Sequence, residues 1–457
     1  MMPSVLSAIR RELRPMIGLA VPVILAEIGW TTMGLVDTLM VGPLGPAAIG
    51  AVGLGSIVFL AIGIFGMGLL LGLDTLVAQS FGAGRLDQCQ HWLRQGVYLA
   101  LISAVPLSLL SFGVAASLPL WGLNAGVLAL ASPYLSVVTL SAAPLLLYAA
   151  FRRYLQAVNL VRPITFALLS ANLVNVGVNW VLIYGKLGFP ALGATGAAWA
   201  TVLSRVYMAA VLFVAVREAR RGRPGTESGA RRVDWASLRR LVALGGPAGL
   251  QILLEVGVFA AATVLAGRLA PAALAAHQIA MNLWAFVFMV PLGLNAAGAV
   301  RVGQAIGRRD REGVWRSGWT ALALGAAFTA SSAVVFLVAA RPLIGAFSQD
   351  ATVLAIGPSL LAIAGVCLVF DGTQGISTGI LRGLGETRVP MIANFAGHWL
   401  IGLPLGYAAC FWWGWGVQGL WLGLAAGLIG VGTVLLATWH RRAKTALPDV
   451  PLAARSG

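Results

Sequence analysis

Charge is scarce in this chain. Only 10% of its 457 residues are Asp, Glu, Lys or Arg, against 59% that are hydrophobic. A soluble protein of this length needs far more polar surface, so a water-exposed globular fold is excluded. Acids are the scarcer sign, 15 against 31 basic residues. Cysteine is nearly absent. Cys89, Cys367 and Cys410 are odd in number and far apart, which suggests no disulfide framework and no cysteine metal motif. The ten-residue alternation of apolar and polar positions that marks a transmembrane β-barrel is also missing. So are a GxxxxGK[ST] phosphate loop, an HExxH zinc motif and paired DxxxD carboxylates. Nucleotide hydrolysis and intramembrane enzymes of those kinds are thereby excluded, and the chain is not expected to be an enzyme.

Long apolar runs are what the sequence has in abundance. Mean hydropathy is +0.88. With about 20 apolar residues needed per crossing, we expect twelve transmembrane helices near 15–40, 47–78, 95–118, 128–151, 162–185, 193–217, 241–266, 271–300, 316–340, 353–380, 389–411 and 415–439. The fold class is an all-α polytopic membrane protein. The basic start "IRRELR" runs into an apolar stretch too long for a signal peptide, so it reads as an uncleaved first span. If the N-terminus is cytoplasmic, 27 of the 31 Lys and Arg fall on that side, eight of them between 217 and 240. Only Lys186, Arg268 and Arg341 fall outside, and Arg205 lies within a span. The asymmetry places both termini in the cytoplasm. It also explains the net charge of +16 without any nucleic-acid partner.

The stretch 217–240, "REARRGRPGTESGARRVDWASLRR", divides the chain into six helices and six helices. The expected layout is a first lobe over 1–218, a cytoplasmic linker over 219–238, a second lobe over 239–440 and a tail over 441–457. The halves repeat in sequence. Shifted by 225, Pro22, Gly42, Pro46, Gln79 and Gly82 meet Pro247, Gly267, Pro271, Gln304 and Gly307 without a gap. A duplication of this kind signals a repeat architecture. Because six is even, the copies are parallel, and a substrate site is expected between them.

Ionisable residues inside spans mark function by default, since each costs about 2.5–3.5 kcal/mol at a helix centre. They are Glu27, Asp37, Asp74, Arg205, Glu255, Asp371 and His398. None has an opposite charge at i+3 or i+4 in its own helix. Under the repeat Glu255 meets Trp30, and Asp37 and Asp74 meet Ala262 and Ala299. The acids are therefore not a symmetric relic of duplication. In the first half Asn172, Asn175 and Asn179 form a stripe at helical spacing. With Asp37, Thr201 and a freed backbone carbonyl they make an oxygen-rich site for Na⁺ or a proton, set against a bland reading as interhelical glue. In the second half Gln251 and Glu255 share a helix face, as do Asp371, Gln374 and Thr378, with Asn282 on the eighth expected span and His398 on the eleventh. The acids suit a cation or drug site; the plain alternative is a protonated carboxyl within the bundle. His398 is either a packing histidine with its hydrogen bonds made or a proton carrier. Asp74 reads as a structural hydrogen bond near a helix end, and Arg205 as either a snorkelling or a cavity residue. The "FWWGW" run at 411–415 reads as an interfacial aromatic belt.

"LAVP" (19–22), "TTMGLVDTLMVGPLG" (31–45), "LDTLVAQSFGAG" (73–84) and "ILRGLGETRVPMIAN" (380–394) closely resemble the multidrug and toxic compound extrusion (MATE) transporters, over nearly the whole chain. Glu255 and Asp371 resemble the acid pair of the NorM-type branch. Asp37, Asn175, Asn179 and Thr201 match the family's first-lobe cation site, with Ala197 as carbonyl donor. Glu27 stands where a Gln is common, which adds a titratable group. The resemblance implies V-shaped bundles, alternating access and export of organic cations in exchange for H⁺ or Na⁺. Na⁺ would sit at Asp37, Asn175 and Asn179 or at Glu255 and Asp371. No cofactor beyond the coupling ion is expected. The expected partners are small organic cations or drugs and membrane lipids, and the expected state is a monomer in the bacterial inner membrane. Two other carriers compete. A lipid-linked precursor flippase would want a basic cavity, and a major-facilitator carrier a GxxxDRxGR loop; this chain has "QSFGAGRLDQC" there.

Overall fold

The computed structural model describes residues 5–221 and 232–445, with side chains from residue 11. Half of the 219–238 linker and all but five residues of the 441–457 tail lie outside the described residues. Sixteen α-helices account for nearly everything described. They are α1 (Val5–Val41), α2 (Pro46–Leu69), α3 (Gly72–Gly82), α4 (Leu86–Ser117), α5 (Ala125–Thr139), α6 (Ala142–Ala157), α7 (Arg162–Tyr184) and α8 (Ala194–Arg220). The second half continues with α9 (Trp235–Ala266), α10 (Pro271–Gly307), α11 (Arg311–Val338), α12 (Ala340–Gly345), α13 (Ala351–Leu384), α14 (Arg388–Asn394), α15 (Leu403–Tyr407) and α16 (Gly416–Thr445).

Among the described residues, ten helical segments are single runs long and apolar enough to cross a membrane. An eleventh is the pair α5 and α6, bent by 46° at its break. The expected span at 389–411 is helical throughout but not regular. Two π-helical stretches, Phe395–Gly402 and Ala408–Trp412, interrupt it on either side of α15. The expected 47–78 span lies within one apolar run, Pro46–Gly82, in which two turn residues separate α2 from α3. Helix ends follow local chemistry. Asn124, Asp310 and Asp350 cap α5, α11 and α13 by accepting from backbone N–H groups at 2.8–3.0 Å. Gly185 and Gly385 close α7 and α13 in the left-handed conformation.

The residues group into two compact units. One holds residues 21–77 and 86–253, with a core around Phe59, Tyr134, Leu135, Leu145 and Ala198. In it α2 packs on α5, α7 on α8, and α6 on α4 and α8. The other holds residues 1–20, 78–85 and 254–457, where α13 packs on α10, α11 and α16 around Trp284, Leu360, Leu361 and Trp421.

Candidate functional site

In the unit containing residues 21–77 and 86–253, Asp37 sits on α1 with 6% of its surface exposed. The Asn179 side-chain amide donates to its Oδ1 at 2.7 Å. The Thr201 hydroxyl stands 3.0 Å from its Oδ2 and 3.1 Å from the Ala197 carbonyl, so this one hydrogen is shared between two acceptors. Asn179 also donates to the Asn175 oxygen at 3.1 Å. Helical spacing produces this arrangement: 175 and 179 on α7, and 197 and 201 on α8, are each one turn apart and face α1 together. Four residues singled out in the sequence, Asn175, Asn179, Ala197 and Thr201, thus gather with their amide, hydroxyl and carbonyl groups around the Asp37 carboxylate. Asn172 does not join them. Its amide donates to the Gly29 carbonyl at 3.0 Å, tying α7 to α1.

The unit containing residues 254–457 holds the second set. Asp371 is fully buried, and neither of its carboxylate oxygens has a hydrogen-bond partner among the described residues. Glu255, half-buried on α9, accepts from the Gln374 amide at 3.4 Å. The same amide donates to Asn394 Oδ1 at 3.0 Å. Gln374 therefore bridges α9 and the end of α14. Asn394 is a buried participant that the sequence reading passed over, although it closes the quoted "TRVPMIAN" motif. Asn282 stands apart: it is exposed on α10, and among the described residues the hydrogen bonds of this group do not include it. Gln251 is buried on α9 and belongs to the other compact unit. His398 lies one turn beyond Asn394 within the π-helical stretch. It is fully buried, its ring centre is 6.4 Å from that of Phe259, and neither ring nitrogen has a hydrogen-bond partner among the described residues. The packing histidine with its hydrogen bonds made is instead His277. Trp421 N–H donates to its Nδ1 at 3.0 Å, so the hydrogen is on Nε2 and points to Thr263 Oγ1 at 3.0 Å.

The sequence showed no neighbouring opposite charges for the buried acids, but folding supplies two from other helices. Glu27 pairs with Arg152, and Asp74 with Arg153 at 3.5 Å. Both arginines are on α6 at positions that hydropathy assigned to a cytoplasmic loop. Among the described residues no three His, Cys, Asp or Glu side chains gather as a metal cluster.

A bundle of apolar helices with buried carboxylates in each half defines a membrane carrier. The MatE family model matches residues 22–181 and again 247–408, the second match starting at the same shift of 225 seen in the repeat. A probable multidrug resistance protein NorM from Mesorhizobium japonicum is 36% identical over 452 residues, covering 96% of each chain. The multidrug resistance protein MdtK of Edwardsiella ictaluri is 32% identical, covering 93% of this chain and 94% of its own. The eukaryotic MATE transporter AtDTX14 superposes with a TM-score of 0.83 at 21% identity, over 96% of this chain and 99% of its own. The chain belongs to the MatE family, a family of transporters and not of enzymes.

Proposed function

We propose that this protein is a multidrug efflux antiporter that exports organic cations in exchange for H⁺ or Na⁺ by alternating access. The observation that carries the proposal is Asp371, a fully buried carboxyl group with no hydrogen bond to either oxygen, beside a second acid, Glu255. Leaving such a group buried without a partner is costly unless a proton, an ion or a cationic ligand completes it. One carboxylate can be completed by the coupling ion or by the drug, and like-charge repulsion disfavours both together. Each then displaces the other, which is the requirement of exchange. The Asp37 cluster offers a second cation site with carboxylate, amide, hydroxyl and carbonyl oxygens, the donor set that suits Na⁺ or a proton. The names of the relatives support the drug side of this reading.

The test is dye efflux from proteoliposomes with Na⁺ and pH gradients imposed one at a time. Glu255→Gln and Asp371→Asn are each expected to abolish gradient-driven efflux while the protein keeps its melting temperature within a few degrees. Asp37→Asn is expected to abolish the response to the coupling gradient. Efflux at the wild-type rate in both second-half variants would overturn the mechanism there.

A further inference from the structure

The unit holding Asp37 contains three buried or half-buried acids within its helices, Glu27, Asp37 and Asp74, and three basic residues beside them, Arg152, Arg153 and Arg205. Two opposite pairs meet directly: Glu27 with Arg152 and Asp74 with Arg153. The third does not. Asp37 is held by Asn179 and Thr201. Arg205, 9% exposed, is held elsewhere. Its Nη1 donates to the Ser141 hydroxyl at 2.5 Å. Its guanidinium lies over the Phe59 ring at 4.6 Å and the Trp30 ring at 5.9 Å. Aromatic faces attract a desolvated cation, and a guanidinium stays charged. Arg205 follows Thr201 by one turn on the same face of α8, and Thr201 touches Asp37. The two charges are thus close enough to act on each other without touching.

We propose that Arg205 is the resident counter-charge of Asp37, set back from it so as to weaken cation binding there and favour release. This inference rests on the reading of Asp37 as a cation site. With Arg205 in place, the ionised and cation-free carboxylate is already balanced, so an arriving cation meets an interior that it makes net positive. Without Arg205, the arriving cation would itself balance Asp37 and be held longer. The aromatic faces of Phe59 and Trp30 serve to park the guanidinium where hydrogen bonds alone are too few. The other titratable and charged groups around this region are Glu27 on α1, Tyr134 on α5, and Tyr148, Arg152 and Arg153 on α6. The two arginines there are engaged with Glu27 and Asp74. In the second half α16, the last span, carries no Lys or Arg before Arg441, and the buried Arg382 on α13 donates to Asn295 Oδ1 at 2.8 Å. The release device is proposed for the first half.

The experiment measures gradient-driven efflux against concentration of the driving cation, H⁺ or Na⁺, in proteoliposomes. Arg205→Gln and Arg205→Met both remove the charge, and the second keeps the aliphatic stem should the first not fold. Either is expected to lower the half-saturating concentration at least fivefold and to slow turnover at saturation. Arg205→Lys keeps the charge and is expected to stay within twofold in half-saturation. On an Asp37→Asn background, where the response to the coupling gradient is lost, Arg205→Gln should not restore it. An unchanged half-saturation in the neutral variants, with turnover falling equally in the lysine variant, would reduce Arg205 to a packing role and overturn the proposal. If Asp37→Asn alone leaves the cation dependence untouched, the cation-site reading falls first and this inference with it.

Discussion

At the scale of single residues, the buried acids divide into those with a partner in the fold and those without. Glu27 pairs with Arg152, which lies 125 positions away, so no local spacing reveals its counter-charge. The pair is neither fully buried nor free: side-chain exposure is 9% for Arg152 and 23% for Glu27. Glu27→Gln leaves Arg152 without its carboxylate. A loss of about 1–3 kcal/mol is expected, between the limits for exposed and fully buried pairs. Thermal unfolding in detergent should show the drop, with the Glu27→Gln, Arg152→Gln double variant recovering part of it. A double variant no more stable than the single would mean that the pair is not coupled. The Asp37 cluster was legible in advance because helical spacing alone aligns 175 with 179 and 197 with 201. Asn172 obeys the same spacing and yet turns to the Gly29 carbonyl. Spacing defines a face of a helix; it does not say which neighbour's backbone that face meets. His398 and His277 are both buried histidines on helices of the second half. Only the tertiary position of Trp421 and Thr263 distinguishes the hydrogen-bonded ring from the bare one.

At the scale of elements, α16 carries Gly419, Gly423 and Gly427 at four-residue spacing, the small-residue stripe that lets membrane helices approach closely. It meets the irregular run of α15 and the two π-helical stretches. A Cβ on Gly423 would lie 2.1 Å from the Gly406 nitrogen and 2.6 Å from the Gly402 carbonyl oxygen. Backbone, not a movable side chain, is in the way, so Gly423→Ala is expected to cost about 1–3 kcal/mol by overpacking. Gly430 on the same helix has nothing within 4 Å of such a Cβ, and Gly430→Ala is the control expected to leave the melting temperature unchanged or raised. Equal behaviour of the two variants would contradict the close approach. The glycine stripe could be read from sequence, whereas the π turns opposite it could not, because local hydropathy is the same for α and π winding. The start of α9 offers a pH test outside the spans. Asp234 accepts from the Ser237 hydroxyl at 2.6 Å and from the Ala236 N–H at 3.0 Å, with His91 close by. The Ser237 hydrogen bond, followed by the backbone hydrogen bonds and the nearby His91, holds its carboxyl below the usual carboxylate range. A depressed folded-state value means that the contact stabilises the helix start at pH above about 3.9, the ordinary Asp value. It is lost as pH falls through the lower folded value. Amide protection at the first turn of α9, taken relative to the intrinsic exchange rate at each pH, should therefore fall on acidification, and Asp234→Ala should show that lowered protection at neutral pH as well.

At the scale of the whole molecule, the number of crossings decides the orientation that the charge asymmetry predicts. Ten helices and one bent pair make eleven, which would put the termini on opposite sides. The helical run from Arg388 to Trp412 makes twelve if it crosses, and only then do both ends lie on the Arg-rich side. Its length favours a crossing: 25 residues at about 1.5 Å each exceed the roughly 30 Å of the hydrocarbon layer, even with some π winding. Its flanks agree, with Arg388 exposed at one end and Trp412, Trp413 and Trp415 more than half exposed at the other. An arginine on the cytoplasmic side and an aromatic belt on the far side are the usual anchors of a span. The three native cysteines are buried, at 0–3% exposure, so an impermeant maleimide should meet little background. Arg388→Cys and Trp413→Cys are expected to label from opposite faces of oriented vesicles, with Arg388→Cys on the same face as a cysteine placed in the 217–240 linker. Labelling of both from one face would make the run re-entrant, leave eleven crossings and move the C-terminus to the outside. The parallel six-plus-six arrangement would fall with it, since a half with five crossings cannot repeat a half with six in the same orientation.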